Sequence, residues 1–190
     1  DGTGKSTQCS MLADLLNKKG IANISLAEPT RGKWGMKIRQ LLTEGRNGIS
    51  PEEELSWFIN DRKEDVKLNI NPALKEGKVV LMDRYYFSTA AYQGALGFDP
   101  QEIREDNEKF APVPDRVLIF HNSPEKSLER IESSREEKSV FEKRDYLIDV
   151  QNIFKSFTGA NIRLVSSDAS LEEVHAQVLH EVQDLFELKL

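Results

Sequence analysis

At 190 residues, with 38% hydrophobic and 31% charged residues, the chain is long enough for one domain with a full sheet-and-helix core. Its net charge of -6 excludes the basic face that a sequence-independent grip on DNA or RNA needs, but leaves room for a small anion held by local arginines. No apolar run approaches the ~20 residues of a membrane span, and no secretory or lipidation signal is visible, which reads as a cytoplasmic protein. Cys9 is the only cysteine, so no intrachain disulfide and no cysteine metal cluster is expected. His175 and His180 are five apart and fall on different helix faces, so a histidine metal site is not expected either.

No repeat, low-complexity tract or linker interrupts the chain, so a single domain over 1–190 is the economical reading. In chain order, Met11, Leu12, Leu15 and Leu16 recur at helical spacing over 5–19, and Gly20 offers a stop. Residues 21–27 read as a short strand closed by Pro29, and 33–43 as a helix. Ser50-Pro51-Glu52-Glu53 is a strong helix start: serine caps, proline occupies the first turn, and Glu53 sits at the capping-box position. That helix should run to about residue 70, where Asn71-Pro72 breaks or kinks it. A compact apolar strand over 78–82 ends in Asp83-Arg84, and helices follow at 87–93 and 100–109. Further strands are expected at 116–121 and 161–166, with helices at 124–135, at 143–157, and from Ser170 to about 188. Strands alternating with helices imply right-handed crossovers and a parallel sheet covered on both faces, a three-layer α/β fold.

The chemistry is announced at the start. A phosphate-binding loop reads G-x-x-x-x-G-K-[ST] between a strand and a helix, and its working end is Asp1-Gly2-Thr3-Gly4-Lys5-Ser6-Thr7. Gly2 and Gly4 let peptide N–H groups turn inward around phosphate oxygens, and the following helix adds its positive end. Lys5 supplies a mobile cation for the β- and γ-phosphates, Ser6 a hydroxyl for Mg²⁺, and Thr7 a further phosphate contact. The first glycine of the motif and the strand before it lie ahead of Asp1, so roughly ten further N-terminal residues are expected, given usual strand lengths. With that strand the sheet would have five strands.

Downstream, Glu28-Pro29-Thr30, Gly35, Ile38-Arg39, Phe58 with Arg62, Asp83-Arg84-Tyr85, Ser88, and Ala91-Tyr92-Gln93-Gly94 extend the pattern. With the loop and with Asp168-Ala169, these stretches make the chain resemble, nearly end to end, the thymidylate kinases of the nucleoside monophosphate kinase group. Phosphoryl transfer between phosphates asks chiefly for two anions held in line with their charge neutralised. Arg84 and Arg39 are the candidates for the acceptor phosphate, because guanidinium forks match phosphate oxygens. Asp83, at the C-terminal end of a parallel strand, stands where such sheets place ligands and could orient Mg²⁺ through water. Phe58 and Arg62 lie four apart on one helix face. The resemblance implies that Phe58 stacks on thymine and Arg62 donates to a base carbonyl; a core Phe58 beside a solvated Arg62 is the other reading. It further implies that Tyr92 abuts the deoxyribose, that Ser88 and Gln93 belong to the acceptor pocket, and that Asp1 meets the 3′-hydroxyl or a metal-bound water. Glu28 is either an acidic member of that network or a helix cap. Asp168 and Ala169 would form the adenine-side loop. ATP and dTMP are the implied partners, with Mg²⁺, and a homodimer packed through helices.

The sequence departs from the family in four places. Gly2-Thr3 carry no basic side chain, so transition-state charge must be met from a lid at about 131–144, with Arg130, Arg135, Lys138, Lys143 and Arg144 as its cations. Val140-Phe141-Glu142 stands where Arg-Phe-Glu is common, and Gln151 where a further arginine is often found. His121-Asn122 replaces an acidic residue. Loss of one positioned arginine can cost a factor of about 10³; Arg135 is the candidate replacement. A slower enzyme, a shifted substrate and a differently built lid are all compatible with these changes. Beside ATP:dTMP phosphotransfer stand a related kinase for a deoxynucleoside or another monophosphate, and a nucleotide-binding partner protein with little turnover.

Overall fold

The computed structural model describes residues 4–46, 48–122 and 137–186, with side chains from 144 onward in the last stretch. In chain order the elements are α1 (Lys5–Lys18), β1 (Asn23–Ala27), α2 (Lys33–Glu44), α3 (Pro51–Asp65), a π-helical turn (Val66–Ile70), α4 (Asn71–Lys75) and β2 (Val79–Asp83). They continue with α5 (Tyr86–Gly94), α6 (Pro100–Glu108), β3 (Val117–His121), α7 (Glu137–Ser156), β4 (Ile162–Ser166) and α8 (Leu171–Phe186). All strand pairing is parallel, as the α/β alternation predicts: Ala27 faces Asp83 at the end of β1–β2, and His121 faces Ser166 at the end of β3–β4. Among the described residues the four strands pair two by two rather than as one continuous sheet.

The chain divides into two compact units. One takes Asp1–Leu12 and Pro114–Leu190, the other Ala13–Val113, and the boundary falls within α1.

In the second unit, β1–β2 is accompanied by α2 to α6. Ile38, Leu41 and Trp57 form a buried cluster against which Trp34, Ile49 and Phe58 pack. Ser50 caps α3 as expected, its hydroxyl accepting from the Glu53 N–H at 3.2 Å. Asp99 does the same for α6, ahead of Pro100. Of the break or kink expected at Asn71-Pro72, the break does not occur; a π turn interrupts the regular helix just before it. Asn71 stays helical (φ -62°, ψ -41°) and its N–H reaches back to Val66, five residues away. The wider π turn lets the chain take in a proline ring that would crowd the carbonyl four residues back in a regular α-helix.

In the first unit, Val174, Val178 and Val182 recur every four residues on α8 and bury one face. Ser170 and Glu173 complete a full capping box at its start, with each side chain bonded to the other's backbone N–H. Helix α7 begins at Glu137, six residues before the expected start, because glutamate and lysine sustain a helix without an apolar stripe. The expected helix at 124–135 lies wholly outside the described residues.

Candidate active site

Of the residues expected on the acceptor side, all but Asp1 lie in the second unit. After β1 the chain turns through a cis Glu28-Pro29 bond into a loop pinned to α3. The Thr30 N–H and hydroxyl both donate to the Asp61 carboxylate, at 2.7 and 2.6 Å. Gly35, in the first turn of α2, lies so close that a Cβ there would stand 2.2 Å from the Thr30 carbonyl oxygen. That approach hangs Arg39 on the same loop: its Nε donates to the Thr30 carbonyl at 3.1 Å and Nη2 to that of Pro29. Nη1 is not used in these bonds, so the exposed guanidinium retains donors for an anion.

Below the loop lies a buried charge network. The Arg62 side chain is 1% exposed. Its Nε and Nη2 donate to Glu28 Oε2, Nη2 also to the Thr89 hydroxyl at 3.0 Å, and Nη1 to Asn107 Oδ1 at 2.7 Å. Of five guanidinium N–H groups, these bonds commit four. Arg62 is therefore no solvated neighbour, and the Glu28 carboxylate holds Arg62 rather than capping a helix. Burial pushes the Glu28 carboxyl up to about 7 against the pull of Arg62, and its Oε1 has no hydrogen-bond partner. Burial also raises Asp65, which accepts from Asn69 on one oxygen while the other is unpartnered. Glu28 is thus bonded to Arg62, Asp65 lies within reach of its charge, and Asp61 accepts from Thr30.

This arrangement has a measurable consequence. A Glu28 proton held to about pH 7 in the fold is lost near pH 4.5 in the unfolded chain. Its stabilising contribution is complete below pH 4.5 and disappears as pH rises through about 7. Glu28→Gln keeps an acceptor for Arg62 but removes the titration. Its stability relative to the unaltered chain should rise between about pH 5 and pH 7.5, by at most roughly 3 kcal/mol. Thermal melts across that range check this; parallel pH profiles for the two proteins would contradict it.

At the end of β2, Arg84 adopts a left-handed backbone (φ 70°), the only non-glycine residue to do so among those described. Its guanidinium lies over the Tyr92 ring, 5.5 Å from the centroid. Asp83, one residue earlier, accepts the Glu28 N–H on its carbonyl at 3.2 Å, which ties the two strand ends together. Ser88 and Tyr92 lie on α5, half-buried. Gln93 is fully buried and donates to Glu54, which is ion-paired to Arg46; its own Oε1 has no partner. Phe58 packs toward Trp57 and Ile38. The structure thus joins Glu28 to Arg62 and Arg84 to Tyr92, while Phe58 and Gln93 are held by neighbours outside the predicted set.

The residues expected on the nucleotide side belong to the first unit. Gly4 has φ 79°, and Lys5, Ser6 and Thr7 form the first turn of α1. Gln8 is buried; its amide donates to the Leu171 carbonyl and its carbonyl meets His175 Nδ1 at 2.8 Å. These bonds bring the start of α8, which follows the Asp168-Ala169 turn, against α1 at Gln8. Asn122 and Ser167 stitch the ends of β3 and β4 through a hydroxyl-to-amide bond. Asp1, Gly2, Thr3, Arg130 and Arg135 lie outside the described residues, as do residues 131–136 of the lid; the lid backbone from Glu137 onward is helical. No described group of three or more histidine, cysteine or acidic residues is arranged for a metal, and no described helix is long and apolar enough to cross a membrane.

Sequence reasoning missed Asp61, Thr89 and Asn107. The one signal for Asn107 is a weak helix former late in α6, which alone reads as an ordinary helix end.

A phosphate-loop helix start, parallel strands joined by helices, and an arginine in strained backbone at a strand's C-terminal end define a P-loop nucleotide phosphotransferase. Comparison narrows the class. Residues 1–178 match the family model for thymidylate kinase. A thymidylate kinase of Desulfotalea psychrophila is 48% identical over 99% of this chain and 93% of its own length. A probable thymidylate kinase of Archaeoglobus fulgidus is 43% identical over 100% and 94%. The crystal structure of thymidylate kinase from Ehrlichia chaffeensis superposes with a TM-score of 0.75 at 25% identity, covering 96% of this chain and 94% of that one. The chain belongs to the thymidylate kinase family.

Proposed function

We propose that this protein transfers the γ-phosphate of ATP to dTMP, giving dTDP and ADP. The observation that supports the reading is a set of arginines held in the second unit: Arg39 hung on the Pro29 and Thr30 carbonyls, Arg84 in left-handed backbone over Tyr92, and Arg62 locked in its buried network.

In this reading Gly2, Thr3, Gly4, Lys5, Ser6 and Thr7 hold the ATP phosphates through backbone N–H groups and the Lys5 ammonium. Arg39 and Arg84 hold the acceptor phosphate, and two guanidinium forks offset the repulsion between two anions brought into line. Tyr92, fixed under Arg84, presents its ring to the sugar, while Phe58 and Arg62 meet the base. Ser88, Gln93 and Asp1 complete the acceptor side, and Asp168 with Ala169 the adenine side. The Ser6 hydroxyl and Asp83 carboxylate are hard oxygen donors, and so fit Mg²⁺, which keeps several waters and takes few protein ligands. Bound there, Mg²⁺ would neutralise phosphate charge. Arg130 and Arg135 would supply the lid's cations in place of a loop arginine. One mobile-lidded domain, a homodimer and a cytoplasmic location, where both nucleotides occur, complete the proposal.

A coupled assay of ADP release with a panel of acceptors tests it. dTMP should give the highest kcat/KM, above dCMP, AMP and thymidine. Clear ATP binding without turnover on dTMP would remove the reading.

A further inference from the structure

Gln8 directly follows Lys5, Ser6 and Thr7 in α1, and its side chain is buried. A buried amide is costly unless both its ends are bonded, and here both ends go to one turn of α8. Its Nε2 donates to the carbonyl of Leu171, the first residue of that helix, at 3.1 Å. Its Oε1 is thereby left to accept from His175 Nδ1 at 2.8 Å. Burial holds His175 below the usual imidazole range, so near neutral pH the ring is uncharged with its proton on Nδ1. Leu171 and His175 are four apart and lie one above the other on the helix, so the two bonds fix the rotation of α8 as well as its distance. The Gln8 backbone serves the phosphate loop: its N–H donates to the Gly4 carbonyl at 2.9 Å and closes the turn that contains Lys5, Ser6 and Thr7. Across the clasp, the capping box of Ser170 and Glu173 anchors the residue that follows the Asp168-Ala169 turn.

We infer that Gln8 and His175 are positioning residues that set the span between the phosphate loop and the Asp168-Ala169 turn, and so tighten the hold on a nucleotide that reaches both. The inference rests on the reading that ATP lies with its phosphates on Gly4, Lys5, Ser6 and Thr7 and its adenine at Asp168 and Ala169. Neither Gln8 nor His175 touches the nucleotide in it; each acts through the elements it joins. Apolar packing through Val174, Val178 and Val182 also holds α8 in the first unit. Such packing has no direction, whereas two hydrogen bonds to one turn specify a single register. A nucleotide is a ligand with two linked ends. Once the phosphates are held, the adenine binds as an intramolecular event whose worth depends on the second site standing at the right distance. Loosening the clasp should therefore weaken ADP, which spans both sites, and spare pyrophosphate, which engages the loop alone.

The test compares Gln8→Met, His175→Phe and His175→Asn with the unaltered protein, titrating each with ADP and with pyrophosphate at one magnesium concentration. Gln8→Met keeps the length of the side chain and removes both bonds. It should raise the Kd for ADP and the KM for ATP about tenfold, with the pyrophosphate Kd and the dTMP KM unchanged. His175→Phe removes one bond and should raise the same two values about threefold. His175→Asn carries an N–H near the place of Nδ1–H and should return them. A merely structural role would lower the melting temperature and weaken ADP and pyrophosphate by the same factor, or neither. If the methionine variant does not fold, the His175 pair decides alone. Folded variants that keep the native ratio of ADP to pyrophosphate affinity overturn the inference. When the unaltered protein nonetheless binds ADP far more tightly than pyrophosphate, the reading of the adenine side still stands. An unaltered protein that binds the two equally overturns that reading and the inference together.

Discussion

Replacing Arg84 by glycine should give a chain more stable than the alanine variant at the same position, with both nearly inactive. The reason is the backbone. At φ 70° a side chain's Cβ is crowded against its own carbonyl, a conformation glycine adopts freely and other residues at a cost of about 1 kcal/mol. Both variants lose the guanidinium over Tyr92, so the difference between them isolates the strain. Both should lose about 10²-fold or more in kcat with a raised KM for dTMP, because the proposed reading makes the Arg84 guanidinium a charged donor to the acceptor phosphate. Backbone strain of this kind clusters at functional positions, which is why Arg84 is the residue to test. Urea titration of the two variants reads the stability term, and steady-state kinetics the other. Equal stabilities would mean that Arg84 carries no backbone strain, and normal kinetics would remove it from the acceptor site.

Gly35→Ala is the second change with a large expected effect. The new methyl would lie 2.2 Å from the Thr30 oxygen and 2.6 Å from its carbonyl carbon, contacts that no rotamer can relieve because both sides are backbone. The loop cannot easily yield, since Asp61 holds Thr30 at two atoms and Arg39 holds it from α2. Helix α2 must then move, at a cost of about 3 kcal/mol by the usual scale of overpacking. The Arg39 bonds to Pro29 and Thr30 would go with it. The dTMP KM should rise by about tenfold, while the KM for ATP should hold. A variant with native stability and native dTMP kinetics would show that the close approach of α2 to the loop is not needed.

The sequence made the local features legible and left the distant ones hidden. The cap at Ser50, the start at Pro100 and the strand ending in Asp83 were readable because each depends on a few adjacent residues. The continuous helix through Pro72 was not, because a change of hydrogen-bond register relieves a clash that the dipeptide alone predicts. The early start of α7 escaped because a charged helix has no apolar period to detect. For the site, residue types pointed to Arg39, Arg62 and Arg84, but not to what holds them. The partners of Arg62 lie 34, 27 and 45 residues away, on a loop and two other helices. No spacing rule connects such positions; only the fold does. The same holds for Glu28, whose burial decides its protonation and could not be judged from Glu28-Pro29-Thr30 alone.

The most direct test of the central claim is to follow the phosphorus atoms themselves. ³¹P NMR of the protein with ATP, dTMP and magnesium should show the dTMP resonance giving way to the paired resonances of dTDP as ADP appears in equal amount. ADP and free phosphate accumulating while dTMP persists would contradict phosphotransfer to thymidylate, and so would an inert mixture in which ATP is nonetheless bound.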